Sequence, residues 1–190
     1  MKIYMLLLAV AFIGCKETEK KGVHQDIWSF DASRNNPQLD NLCSPIIRDY
    51  EELLLGLAKK DTAVLFAQSK ALMLKLDTLP SFFVTKDTAL FQVFKIGLMN
   101  IQNELQAVIL EQYPEELNMA MHMLSVQLMH FLGEIGYNKQ SVYIFNSNGD
   151  KALEAEDGLL WLSLNKNTVN PYYNTDNELV EANYILQEND

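Results

Sequence analysis

Residues 114–135 read PEELNMAMHMLSVQLMHFLGEI. Pro114 suits the first turn of a helix, where its missing N–H costs nothing, and Glu115 and Glu116 stand at the positive end of the helix dipole. At about 100° per residue, Leu117, Leu124, Leu128, Phe131 and Ile135 fall on one broad apolar face, which Met121 joins. Met119, His122, Met123, Val126, Met129 and His130 fall nearly opposite. Gly133 and Gly136 mark the helix end. A bundle needs only the first face, so the second requires its own explanation.

Residues 118–130 hold four of the eight methionines and two of the three histidines. In one reading the second face lies under the C-terminal tail, where Tyr143, Trp161 and Tyr172 cover the thioethers and methionine acts as a gap-filler. In the other, Met119, His122 and Met123 share one turn as a soft-metal clamp with His130 two turns on, since Cu(I) prefers thioether and imidazole. Packing is the expected reading, because methionine at helical spacing is core more often than ligand. Cys43 does not complete a metal set. It is expected just before the first helix as a small buried apolar residue, near His130 at best and toward the opposite end of the fourth helix from Met119.

Working outward, three more amphipathic helices precede this one. Ser44-Pro45 reads as a cap followed by a first-turn proline, with Ile46, Ile47, Tyr50, Leu53, Leu54 and Leu57 at helical spacing. Asp61 caps a second helix with Val64, Leu65, Leu72 and Leu76 inward, and Leu79-Pro80-Ser81 breaks it. Thr85 caps a third, with Leu90, Phe91, Phe94, Leu98, Ile101, Leu105 and Val108 inward and Gly97 in its interior. The expected fold is all-α: an up-and-down four-helix bundle with an irregular, short-strand C-terminal tail packed on it. In that tail Ser141 to Phe145 is strand-like, Asn146 to Asp150 turn-like, Leu159 to Ser163 strand-like, and Glu178 to Leu186 amphipathic.

The N-terminus, MKIYMLLLAVAFIGC, has a basic start and an apolar run too short to span a bilayer, so residues 1–14 read as a signal peptide. Gly14-Cys15 at its end resembles a bacterial lipobox, which implies acylation of Cys15. Residues 15–40 read as the lipidated cysteine and a solvated tether, and 41–190 as a single domain. The expected address is the cell envelope, lipid-anchored at the outer membrane and facing the periplasm or the cell surface. With Cys15 acylated, Cys43 has no disulfide partner, and the core must carry stability. The net charge of −10, one unit more acidic without Lys2, argues against nucleic acid or anionic lipid as partners. There is no HExxH, CxxC, GxSxG or glycine-rich phosphate loop, so an enzyme is not expected. His24 belongs to the tether, and Glu154, Glu156 and Asp157 to a solvated loop.

Val142-Tyr143, Trp161-Leu162-Ser163 and Asn170-Pro171-Tyr172-Tyr173 stand in an order that resembles a secreted domain of unknown function associated with bacterial copper-efflux adaptor proteins. That domain carries a helical bundle, then VY, Cys-Pro-Met, Trp-Leu-Ser, Asn-Pro-Tyr-Tyr-Gly, a Met and a Cys-Gly. Here Asn146-Ser147-Asn148 replaces Cys-Pro-Met, Asn174 replaces the Gly, and residues 176–180 lack the later Met and Cys. The family's sulfur ligands are therefore absent from the tail. What the resemblance implies is a scaffold in which Trp161, Asn170, Pro171, Tyr172 and Tyr173 pack the tail on the bundle. The expected function is a non-enzymatic envelope lipoprotein with a binding domain derived from that scaffold, without cofactor. Its partners would be the membrane, through its lipid, and an envelope protein or efflux component. The alternative is a copper or silver chaperone using Met119, His122, Met123 and His130.

Overall fold

The computed structural model describes residues 35–147 and 158–173. Cys15, His24, Asn148, the acids of 154–157, Asn174 and the stretch Glu178 to Leu186 lie outside them. The order is α1 (Pro37–Ala58), α2 (Thr62–Thr78), a 3-10 turn (Leu79–Ser81), α3 (Thr88–Leu110), α4 (Pro114–Glu134), β1 (Tyr143–Ser147) and β2 (Leu159–Ser163). Each helix packs on the next, and a two-stranded antiparallel sheet follows. This is the expected four-helix bundle with a short-strand tail.

The first helix starts earlier than its sequence indicates. Asn36 caps it, its Oδ1 accepting from Gln38 N at 2.9 Å, and Pro37 occupies the first turn. Ser44-Pro45, the expected start, lies inside α1, so Cys43 is a helix residue and the helix begins within the stretch expected as tether. Both sites pair a capping residue with proline, so local chemistry does not separate them. Burial does: Leu39, Asp40 and Cys43 all lie in the core. Ser44 adapts to the interior by donating its hydroxyl to the Asp40 carbonyl at 2.8 Å.

Asp61 caps α2 as expected, accepting from Val64 N at 3.0 Å. Leu65, Leu72 and Leu76 are buried, but Val64, one residue off that stripe, is 44% exposed. The cap of α3 is Asp87, which accepts from Leu90 N, and not Thr85, whose hydroxyl instead accepts from Asp87 N at 3.1 Å. Asn146 and Ser147, expected in a turn, are the last residues of β1. Met129, placed by the helical wheel on the second face of α4, is buried with 2% exposure. The core here wraps further round α4 than one face, because the sheet adds cover.

Asp40 ties the start of α1 to the chain leaving α4. Its Oδ1 accepts from Asn138 N at 3.0 Å and its Oδ2 from Asn35 Nδ2 at 2.9 Å. Beside it, Ser44 Oγ already donates to a carbonyl, so Tyr137 must donate its phenol to Ser44 at 3.0 Å. Gly136, at φ 65°, ends α4 and lets Tyr137 turn into this cluster.

At Gly97 α3 and α4 approach each other closely. A Cβ there would meet Phe131 Cδ2 at 2.2 Å, so the glycine is a socket for the Phe131 ring. Gly97→Ala gains up to about 1 kcal/mol of helix propensity but overpacks this socket, a change that costs about 1–3 kcal/mol. We expect net destabilisation in urea unfolding, relieved when Phe131→Leu is added. Stabilisation by Gly97→Ala alone would show that the two helices separate freely at this point.

Candidate functional site

The second face of α4 meets β2. That strand pairs with β1 through Tyr143↔Ser163, Phe145↔Trp161 and Ser147↔Leu159, and Phe145 stacks on Trp161 at 5.3 Å. Backbone N–H groups alternate between the two edges of a strand. With residues 159, 161 and 163 turned toward β1, those of 160, 162 and 164 point toward the helices. Each finds a side-chain acceptor there. Leu160 N donates to His122 Nδ1 at 2.8 Å, Leu162 N to Tyr50 Oη at 3.3 Å and Leu164 N to Glu51 Oε1 at 2.7 Å. Ser163 Oγ adds a second bond to Glu51 Oε1 at 2.7 Å. The strand thus closes the seam between α1 and α4.

The direction of every proton around Tyr50 follows from geometry. Ser125 Oγ donates to the Met121 carbonyl at 2.7 Å, so in its 2.6 Å contact with Tyr50 it accepts. Tyr50 therefore accepts from Leu162 N and donates to Ser125, forming one continuous chain from β2 through α1 to α4. Burial holds the Tyr50 phenol far above its ordinary value, so it stays protonated and keeps its donor.

The same logic bears on the proposed metal clamp. Met119, His122 and Met123 do share a turn, with Met119 half-buried against the core and Met123 36% exposed. His130 is exposed and lies about 12 Å further along the helix axis. A backbone N–H only donates, so His122 Nδ1 carries a lone pair and the neutral ring has its proton on Nε2. A histidine that ligates a metal does the reverse with its second nitrogen, donating from it to a carbonyl or carboxylate. Metal on Nε2 would set an Nδ1–H against the Leu160 N–H; metal on Nδ1 would displace that bond. Burial also lowers the His122 pKa, favouring the neutral ring. Cys43 is fully buried in α1, its thiol raised far above the ordinary range by burial and then by Asp40.

The tail residues Trp161, Asn170, Tyr172 and Tyr173 meet in one cluster. Trp161 is fully buried and meets Tyr172 edge-on at 5.9 Å. Asn170 Oδ1 accepts from Tyr172 N at 2.9 Å and Tyr173 N at 3.2 Å, which folds Asn-Pro-Tyr-Tyr into an Asx turn. Tyr172 Oη donates to the Leu160 carbonyl at 2.9 Å, and burial drives its pKa well up.

This turn forms one wall of a pocket of about 600 Å³. The others are the end of α1 (Gly56, Leu57, Ala58), the start of α2 (Thr62, Leu65, Phe66) and the approach to α4 (Glu111, Gln112, Pro114, Leu117, Asn118). Lys60 and Asp61 stand in the connection between α1 and α2. Lys60 is the one non-glycine among the described residues with positive φ, at 56°. It closes α1 with Lys60 N on the Leu57 carbonyl and Asp61 N on the Gly56 carbonyl, a position where glycine is the usual choice. The side chain is kept there at some backbone cost, at the edge of the cavity. Tyr50, Glu51, Lys60 and Phe66 carry no motif, and only the clustered Asn-Pro-Tyr-Tyr signalled this region in the sequence. Compared with family models, curated proteins and solved structures, the chain matches none.

Two outcomes test the use of His122. Its folded pKa is depressed, so its contribution to stability is complete above the ordinary imidazole value near 6.5 and is lost as pH falls from there toward the lowered value. Melting temperature should drop between pH 7 and pH 5, and His122→Gln, whose amide oxygen accepts from Leu160 at any pH, should flatten that part of the profile. Titration of Cu(I) against a high-affinity chelator should leave the protein unloaded. A one-to-one complex lost in Met119→Leu with His122→Gln would make this turn a metal site.

Proposed function

We propose that the protein is a non-enzymatic envelope lipoprotein, with a binding domain on a copper-associated type of scaffold that works without metal. The observation that carries this reading is the position and make-up of the pocket. Residue 35 enters the bundle beside Gly136, to whose carbonyl Asn35 Nδ2 donates at 3.3 Å. The pocket lies at the far end of α1, whose 22 residues span about 33 Å. Its volume falls in the range of ligand sites, and its lining mixes Leu57, Leu65, Phe66, Leu117 and Tyr172 with a few amide and charged groups. The ligand class that fits is amphipathic, with an apolar body and a polar end that meets the amide and charged groups of the lining. His122, already committed to β2, supports the metal-free form of this reading over a copper or silver chaperone.

Cys15→Ser should abolish fatty-acid labelling and release the protein from membranes. A lipophilic fluorophore should bind the full chain saturably, and Thr62→Trp, which fills the pocket from an exposed position, should weaken it by about tenfold or more, about 1.4 kcal/mol. Dye binding indifferent to Thr62→Trp would remove the pocket from the proposal; continued labelling of Cys15→Ser would remove the anchor.

A further inference from the structure

We infer that the exposed side of α3 is a docking surface for a second copy of this chain, paired antiparallel. Among the exposed residues of α3, Gln92, Ile96, Met99, Asn103, Gln106 and Leu110 recur at alternating spacings of four and three. That is the heptad seam of a two-helix coiled coil, with Ile96, Asn103 and Leu110 at one position of the repeat and Gln92, Met99 and Gln106 at the other. It runs opposite the face that carries Phe94, Leu98, Ile101, Leu105 and Val108 into the core. Ile96, Met99 and Leu110 are left 49%, 52% and 64% exposed.

Charge selects the occupant. The chain carries a net charge of −10, so a second copy approaches against like charge except where the surface is neutral. The seam is neutral. Lys95 is the only charged residue among those exposed on α3, and it stands beside the strip. The apolar side chains favour an apolar partner, while the amides of Gln92, Asn103 and Gln106 need one that both donates and accepts, which lipid tails do not. The same strip turned end for end supplies both. With the two-fold axis level with Gly97 and Leu98, Ile96 of each copy meets Met99 of the other, and Gln92 meets Asn103. Antiparallel pairing also sets opposite ends of the helix dipoles together. The 23 residues of α3 form a strip about 34 Å long and about 12 Å wide, about 400 Å² on each copy. A permanent dimer buries about 1,200 Å² or more in total, so this pair forms reversibly. No residue of α3 lines the pocket, so this inference stands apart from the binding reading.

Sedimentation equilibrium of the full chain with Cys15→Ser, from about 1 μM to about 1 mM, reads the association. We expect a monomer–dimer equilibrium that Ile96→Glu weakens by about 100-fold, because it sets two like charges near each other across the axis. Adding Met99→Lys to Ile96→Glu should restore the dimer, since antiparallel pairing opposes the two new charges between copies. Both positions are exposed, so an unchanged melting temperature separates lost association from lost folding. Failure of Met99→Lys to restore the dimer would overturn the antiparallel form. A monomer at every concentration, or a dimer indifferent to Ile96→Glu, would overturn the proposal. A monomer that floats with phosphatidylcholine vesicles, and no longer does so with Ile96→Glu, would assign the strip to a lipid surface and overturn it equally.

Discussion

The edge of β2 is the constraint on which the rest of the molecule depends. A two-stranded sheet has two open edges, and the helix-facing edge of β2 packs into the seam between α1 and α4, with Leu162 buried and Leu160 and Leu164 partly so. A buried N–H left unpaired costs about 1–3 kcal/mol. His122, Tyr50 and Glu51 supply the three acceptors, from two helices that are far apart in sequence. Their positions fix how far α1 and α4 stand from each other, which residues of α4 are covered, and where the Asn-Pro-Tyr-Tyr turn must land. The chain from Leu162 through Tyr50 and Ser125 to Met121 has a single proton direction, so no member can be replaced by an apolar residue without leaving a neighbour unpaired.

The two ends of the bundle are finished in opposite ways. Where α1 begins, Asp40, Ser44 and Tyr137 knit the chain termini of α1 and α4 into a closed polar cluster. Where α1 ends, two connections, α1–α2 and α3–α4, and the tail turn meet around open space. Closure at one end keeps the helices in register, and that register holds the pocket walls apart at the other. Gly97 contributes to the same rigidity by seating Phe131 between α3 and α4.

Much of this fold is legible in sequence because it is local. Four helices, the Asp61 cap, the break at Leu79-Pro80 and the stop at Gly136 are decided by neighbours within a turn or two. The start of α1 is not, because Asn36-Pro37 and Ser44-Pro45 offer the same local chemistry and only the burial of Leu39 and Asp40 separates them. The α3 cap shows the same ambiguity, since Thr85 and Asp87 are both good caps two residues apart. The role of His122 was beyond sequence reading for a different reason: its partner is a backbone N–H 38 residues on, and no side-chain pattern records it. The pocket is likewise a product of four separate segments, of which only Asn170 to Tyr173 stood out.

The bond between Glu51 and Leu164 spans 113 residues, and this separation has a consequence for how the chain reaches its final state. Helix pairs adjacent in sequence form their contacts over short loops and can do so early; the strand that seals α1 to α4 closes a far longer loop and belongs to the last stage of folding. A chain synthesised N-terminus first would hold Tyr50, Glu51 and His122 without their β2 partners until nearly all of the described bundle had been made. During that interval the seam is an exposed apolar groove with free acceptors, the kind of surface that aggregates or engages chaperones. Commitment to the native state would then coincide with the arrival of Trp161, so the strand acts as the latch that completes the fold.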